Sequence, residues 1–181
     1  MGTRAIKVTL SGWMLLALFT LACVMQPLGE SYPEPEWVRS GSGAAETEQG
    51  RVFNGVGVAT DIQSRVLLRA TADNLAREEL ARVLEHFVRV LAQNERADHE
   101  HRGADDSAVD VSFHSLIQTS LRNATIVNHW TDSRDGRMYA LCRLNLMAFK
   151  EDLAHDRQLE MALRNAMLDR ADRVHAQMTA R

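Results

Sequence analysis

Two glycines spaced two apart in a Val-rich run set the tightest constraint in this sequence. If Phe53-Asn54-Gly55-Val56-Gly57-Val58-Ala59 is a strand, successive side chains point to opposite sides. Phe53, Gly55, Gly57 and Ala59 then share one face, and Asn54, Val56 and Val58 share the other. A face so poor in side chains has to be covered by an element that approaches it closely, which predicts a tightly packed helix. The glycines do not make a dinucleotide fingerprint, because the position three residues after Gly57 is Thr60. No phosphate cradle is supported.

The covering helix follows directly in the chain. Ala72, Ala76, Leu80, Val83, Phe87 and Val90 recur at steps of three or four, while Arg69, Asp73, Arg77, Arg82, Glu85 and Arg89 populate the opposing side. The pattern predicts a helix from candidate caps at Thr60 and Asp61 to about Glu95, with Ala70, Ala72 and Ala76 packing against the glycine strand. A polar break is expected over residues 96–107, and a second, shorter helix from about Ala108 to Arg122, with Val109, Phe113, Leu116 and Ile117 on one side. Within the break, His99 and His101 stand two apart. That spacing suits a metal only in a loop or strand and does not place them on one helical face, so a solvated loop is the preferred reading.

Thr125 to Leu146 carries a hairpin signal. The runs Thr125–Thr131 and Arg137–Leu144 flank Asp132-Ser133-Arg134-Asp135-Gly136, a five-residue loop whose glycine can take positive φ. Met138, Ala140, Cys142 and Leu144 form the expected core face, which makes Cys142 a small buried hydrophobe rather than a nucleophile. From Ala148 to the end, Leu153, Leu159, Leu163, Met167, Ala171, Val174 and Met178 alternate with charged residues and predict about thirty residues of helix. Its distal half is expected either to project toward another subunit or partner or to fray in solvent.

The N-terminus carries a different kind of signal. Arg4 and Lys7 precede an uncharged run from Val8 to Ala22, too short for the roughly 20 residues that span a bilayer comfortably. It reads as a signal peptide over residues 1–22. The run closes on Phe19-Thr20-Leu21-Ala22-Cys23, which resembles the lipobox of bacterial lipoproteins, with Cys23 as lipid-attachment site and new N-terminus. The lipoprotein sorting pattern retains a product in the inner membrane when aspartate follows the cysteine. Val24 stands there instead, which implies the outer membrane. Residues 23–49, with Pro27, Pro33, Pro35, Gly29, Gly41 and Gly43, are expected to form a lipidated flexible tether. Within it Pro35-Glu36-Trp37-Val38 is an apolar island, and Trp37 is the candidate docking residue, on the domain itself or on a partner.

Composition narrows the function classes. The 21 basic and 24 acidic residues give a net charge of −3, which argues against a nucleic-acid binder that works by neutralising phosphates. Loss of Arg4 and Lys7 on cleavage would make the mature chain more acidic still. Two cysteines are too few for a disulfide scaffold or a four-thiolate zinc site, and acylation of Cys23 would leave Cys142 without a partner. No Ser-His-Asp order, paired carboxylates or Walker loop stands out, so no catalytic residue, metal ligand or cofactor is assigned.

Taken in order, Pro35-Glu36-Trp37-Val38, the Phe53-to-Ala59 strand, Ala76-Arg77-Glu78-Glu79-Leu80-Ala81, Trp130-Thr131-Asp132 and Gly136-to-Leu144 resemble the bacterial twenty-kilodalton outer-membrane lipoprotein family, some of whose members are flagellar. The likeness covers roughly residues 33–150. It implies an α+β domain with a mainly antiparallel sheet covered by helices, and a non-enzymatic role without catalytic residues.

The expected organisation is therefore a signal peptide (1–22), a lipidated tether (23–49), an α+β domain (50–150) and a C-terminal helical extension (151–181). The expected protein is a lipid-anchored structural or interaction component of the bacterial outer membrane, with envelope or flagellar proteins or a second copy of itself as partners and no nucleic acid. The alternative is a periplasmic binding module that activates a cell-wall enzyme. A metal-dependent enzyme built on His99 and His101 is a third, less favoured class.

Overall fold

The computed structural model describes residues 33–100 and 106–180, which belong to one compact unit; the side chains of 94–100 and 106–109 lie outside the description. The elements run α1 (Glu36–Ser40), β1 (Gly43–Thr47), β2 (Gly50–Ala59), α2 (Arg65–Glu100), α3 (Asp106–Asn123), β3 (Thr125–Thr131), β4 (Met138–Asn145), α4 (Leu146–His155) and α5 (Met161–Thr179). The strands form one antiparallel sheet in the order β1-β2-β4-β3. The class is α+β, as the sequence predicts.

The glycine face of β2 receives α2. A methyl group added at Gly55 would run into the Ala76 carbonyl oxygen and the Leu80 amide nitrogen, and would stand 2.7 Å from Leu80 Cβ. One added at Gly57 would meet the Ala76 nitrogen and the Ala72 carbonyl oxygen, and would stand 2.7 Å from the Leu75 carbonyl carbon. These obstacles are mostly backbone, so no rotamer change relieves them. Because Gly57 meets the Ala72–Ala76 turn and Gly55 the Ala76–Leu80 turn, α2 runs antiparallel to β2.

Further along the strand the space between sheet and helix is filled by rings. Phe53 lies 4.7 Å from Phe87 of α2 and 6.2 Å from Phe149 of α4, with Phe87 and Phe149 5.3 Å apart, in the tilted and edge-on geometries aromatic pairs prefer. The His175 ring of α5 stands 5.0 Å from Phe53, and its Nε2–H donates to the Val52 carbonyl at 2.9 Å. Helices α2, α4 and α5 thus share one side of the sheet. On β4 the expected core residues Met138, Ala140, Cys142 and Leu144 are all buried. The opposite side carries Asn54, Val56 and Val58 of β2, with Tyr139, Leu141 and Arg143 of β4.

Four sequence expectations are corrected. The tether is not irregular throughout: Glu36–Ser40 is helical and Gly43–Thr47 is an edge strand that pairs with β2 through the two-residue turn Glu48-Gln49. Ala44 packs on the core and the Thr47 hydroxyl donates to the Gly50 carbonyl, so pairing with a strong neighbour makes a strand of residues with little β propensity of their own. Next, α2 starts at Arg65, not at Thr60 or Asp61; Asp61 sits at φ 59°, and the Ser64 hydroxyl takes the Leu67 amide at 3.4 Å. Ala70 is exposed, while Ala72 and Ala76 are fully buried.

Third, helix continues to Glu100 and resumes at Asp106, which shortens the expected break at both ends. Fourth, the C-terminal helix is interrupted. The Asp156 carboxylate accepts the Gln158 amide at 2.7 Å and the Leu159 amide at 3.3 Å, a local turn that competes with helix continuation. α5 does not project: Leu163, Met167, Ala171, Val174 and His175 are buried, and Asp172 pairs with Arg51 of β2 at 2.8 Å and Lys150 of α4 at 2.7 Å. Arg170 also donates to the Leu91 carbonyl of α2 at 2.6 Å. The C-terminal extension is therefore part of the core.

Gly57→Ala should lower the free energy of unfolding by about 3 kcal/mol, the upper range for overpacking against unyielding atoms, as read from urea denaturation. A loss below about 1 kcal/mol would mean that α2 does not lie on the strand as described.

Candidate functional site

Cys23, the expected lipid-attachment site, lies outside the described residues, and so do the side chains of His99 and His101. Trp37 is described. A single helical turn holds it, opened at Pro35, whose carbonyl accepts the Val38 amide at 3.0 Å, and closed at Gly41, where φ is 70° and the amide returns to the Trp37 carbonyl at 3.1 Å. The indole is half-buried and its N–H, buried, has no hydrogen-bond partner among the described residues.

Two polar constellations lie on the folded domain, the first not singled out by the sequence and the second marked there only as a hairpin loop. The first joins α2 to β3. His129 Nδ1 is 3.2 Å from an Arg69 guanidinium nitrogen, and its Nε2 is 2.5 Å from an Asp73 carboxylate oxygen. Guanidinium can only donate, so Nδ1 accepts and Nε2–H donates to Asp73. With both ring nitrogens engaged, the imidazole is held as a clamp between helix and edge strand and has no lone pair free for a metal or for a substrate proton. Arg69 and Asp73 are four apart on α2, the one sequence signal that could have flagged the pair; their relation to His129 comes only from the sheet register. Below this clamp, Arg77 reaches to 3.9 Å of the buried Cys142 sulfur. Burial pushes the Cys142 thiol up, and the Arg77 charge only partly opposes it, which suits a core residue and not a thiolate nucleophile.

The second constellation is the β3–β4 loop. The Asp132 amide donates to the Arg137 carbonyl at 2.9 Å, the Gly136 amide returns to the Asp132 carbonyl at 2.8 Å, and Gly136 supplies the positive φ of 75°. The buried Asp132 carboxylate accepts the Arg134 amide at 2.9 Å and the Arg134 side chain through Nε and Nη2, the latter at 2.6 Å. These Arg134 hydrogen bonds hold the Asp132 carboxyl down at about 2, against burial, which works the other way. Arg134 is in turn kept protonated chiefly by Asp132, with Asp135 and Glu34 adding to it. Arg137 pairs with Asp135 at 2.6 Å and lies 5.9 Å from the centre of the Tyr139 ring, which packs on Trp130 at 5.4 Å.

Two open clefts flank α3. One, of about 310 Å³ against α2, is lined by Glu85, Arg89, Asp110, Phe113 and His114. The other, of about 350 Å³ against α4, is lined by Ser115 of α3 and by Asp152 and His155 of α4. They do not form a triad: His155 Nδ1 donates to the Glu151 carbonyl at 2.7 Å, Asp152 accepts from Asn123 at 3.0 Å, and no hydrogen bond joins Ser115 to His155. Among the described residues no cluster of three His, Cys, Asp or Glu side chains could hold a metal, and no helix is long and apolar enough to cross a membrane. No family model matches the chain, and no characterised protein matches it in sequence.

The depressed Asp132 carboxyl has a thermodynamic consequence. Its proton binds more tightly in the unfolded chain, at about 3.8, than in the fold, at about 2. The loop's contribution to stability is therefore complete above about 4 and is lost as pH falls through that interval. Asp132→Asn should flatten the acid limb of a stability–pH curve between pH 4 and 2 relative to wild type, as followed by thermal melts. Parallel curves for the two proteins would show that Arg134 does not hold the carboxylate in solution.

Proposed function

We propose that this chain is an outer-membrane lipoprotein, anchored through acylated Cys23, whose domain is a non-enzymatic structural or interaction component of the bacterial cell envelope. The flagellar apparatus is the assembly to which the family resemblance leads. The observation that carries the reading is the order Arg4, Lys7, an uncharged run to Ala22, and Cys23 at its end. Several acyl chains, at about 0.8 kcal/mol per buried methylene, would give stable attachment where a single chain would be reversible. The described domain begins at Pro33, so nine residues, 24–32, lie between it and Cys23. At no more than about 3.6 Å per residue, that connection keeps the domain within roughly 35 Å of the bilayer.

The non-enzymatic part of the reading draws on the engaged His129, the buried Cys142 and the unjoined Ser115 and His155. What remains at the surface is suited to contact, with half-buried Trp37 the residue to change when partners are sought.

Intact-mass analysis of the protein extracted from membranes, wild type beside Cys23→Ser, tests the anchor. The expected result is a wild-type chain starting at Cys23 with added acyl mass, and a variant that is neither acylated nor retained in the membrane fraction. A wild-type chain cleaved elsewhere, or lacking acyl mass, would remove the reading.

A further inference from the structure

Val66 and Leu67 are consecutive large aliphatic residues in the first turn of α2, and they are 82% and 57% exposed. Burial on this helix begins only at Leu68 and Ala72. Their place in the fold is fixed by the sheet register. Ala59, the last residue of β2, pairs with Met138, the first of β4, so the β2–α2 connection and the β3–β4 loop leave the same end of the sheet. Since α2 runs antiparallel to β2, Val66 lies about 9 Å beyond Ala72 toward that end, at 1.5 Å of rise per residue. Val58, 43% exposed, is at the same end.

The N-terminal side of the domain meets this end as well. β1 runs away from this end, with Gly43 opposite Asn54 and Thr47 opposite Gly50, and Glu34 adds to the charge acting on Arg134 of the β3–β4 loop, so the start of the described chain lies toward this end of the sheet. Only residues 24–32 lie between it and Cys23.

We propose that this end of the domain rests on the membrane that holds the anchor, with Val66 and Leu67 entering the boundary between lipid headgroups and acyl chains; the inference rests on the acylation of Cys23 proposed above. A short connection attached at one end of a domain brings that end to the bilayer first, and there the two aliphatic side chains leave water. Arg65, exposed beside them, can meet a lipid phosphate. Charge is not the main attraction, because Glu34, Glu36, Asp61 and Asp135 are exposed in the elements that reach this end.

The test uses the full acylated protein in vesicles of phosphatidylethanolamine and phosphatidylglycerol containing spin-labelled lipid. An environment-sensitive fluorophore is placed at Val66→Cys or, as control, at Met147→Cys. Met147 is 60% exposed and follows Asn145, which pairs with Val52 toward the other end of β2. The fully buried Cys142 and the acylated Cys23 do not compete for label.

The expected result is quenching of about two-fold or more at position 66 and little at 147. Acylated protein on vesicles with no quenching at 66, or with equal quenching at both sites, overturns the inference and leaves the anchor standing. A blue shift at 66 without lipid quenching assigns the turn to a protein contact, such as a second copy of the chain, and also overturns it. Recovery of an unacylated chain overturns both this inference and the anchor.

Discussion

The backbone of α2 rests directly on Gly55 and Gly57, and most of the domain is organised around that contact. Glycine in a strand is unfavourable on its own account, since it loses more conformational freedom on folding and offers no side chain to pack. Here it permits an approach that puts Ala72 and Ala76 fully out of water. The same approach orients the helix, so that two turns later Leu84, Phe87 and Leu91 meet the elements that close the core. Phe53, two residues before the first glycine, gathers rings from α2, α4 and α5 around itself. One strand thus carries both the narrow and the wide end of the sheet–helix space.

Much of this is legible in the sequence because it is encoded by period. The alternation of Phe53 to Ala59, the three-and-four spacing along α2, and the Asp132-to-Gly136 loop between two strand-like runs each state a local geometry and the face it must bury. What was not legible depended on partners distant in the chain. β1 is built of Gly, Ala, Glu and Thr and has no pattern of its own; it becomes a strand because β2 offers an edge and α5 lies near it. The turn at Asp156 was hidden because Leu153, Leu159 and Leu163 keep a helix-like rhythm across it. The clamp of Arg69, Asp73 and His129 was hidden because half of it looked like the solvated face of α2, and only the position of β3 at the sheet edge shows that this face is partly covered.

The described domain is richer in structural than in reactive polar groups. His129 has both nitrogens engaged, Asp132 is locked to Arg134, and Asp172 ties α5 to β2 and α4. Hydrogen bonds and ion pairs of this kind fix the geometry of the surface. The large aliphatic side chains exposed at the start of α2 stand apart from that pattern.

Native-state amide hydrogen exchange tests the central contact most directly. If the glycine face holds α2 to the sheet, the amides of Phe53 to Gly57 and those of Ala76 to Leu84 should be the slowest in the molecule and share one opening free energy, equal to that of global unfolding. Exchange of the α2 amides through a smaller opening, while those of β2 and β4 remain protected, would show that the helix leaves the sheet on its own and would contradict the account.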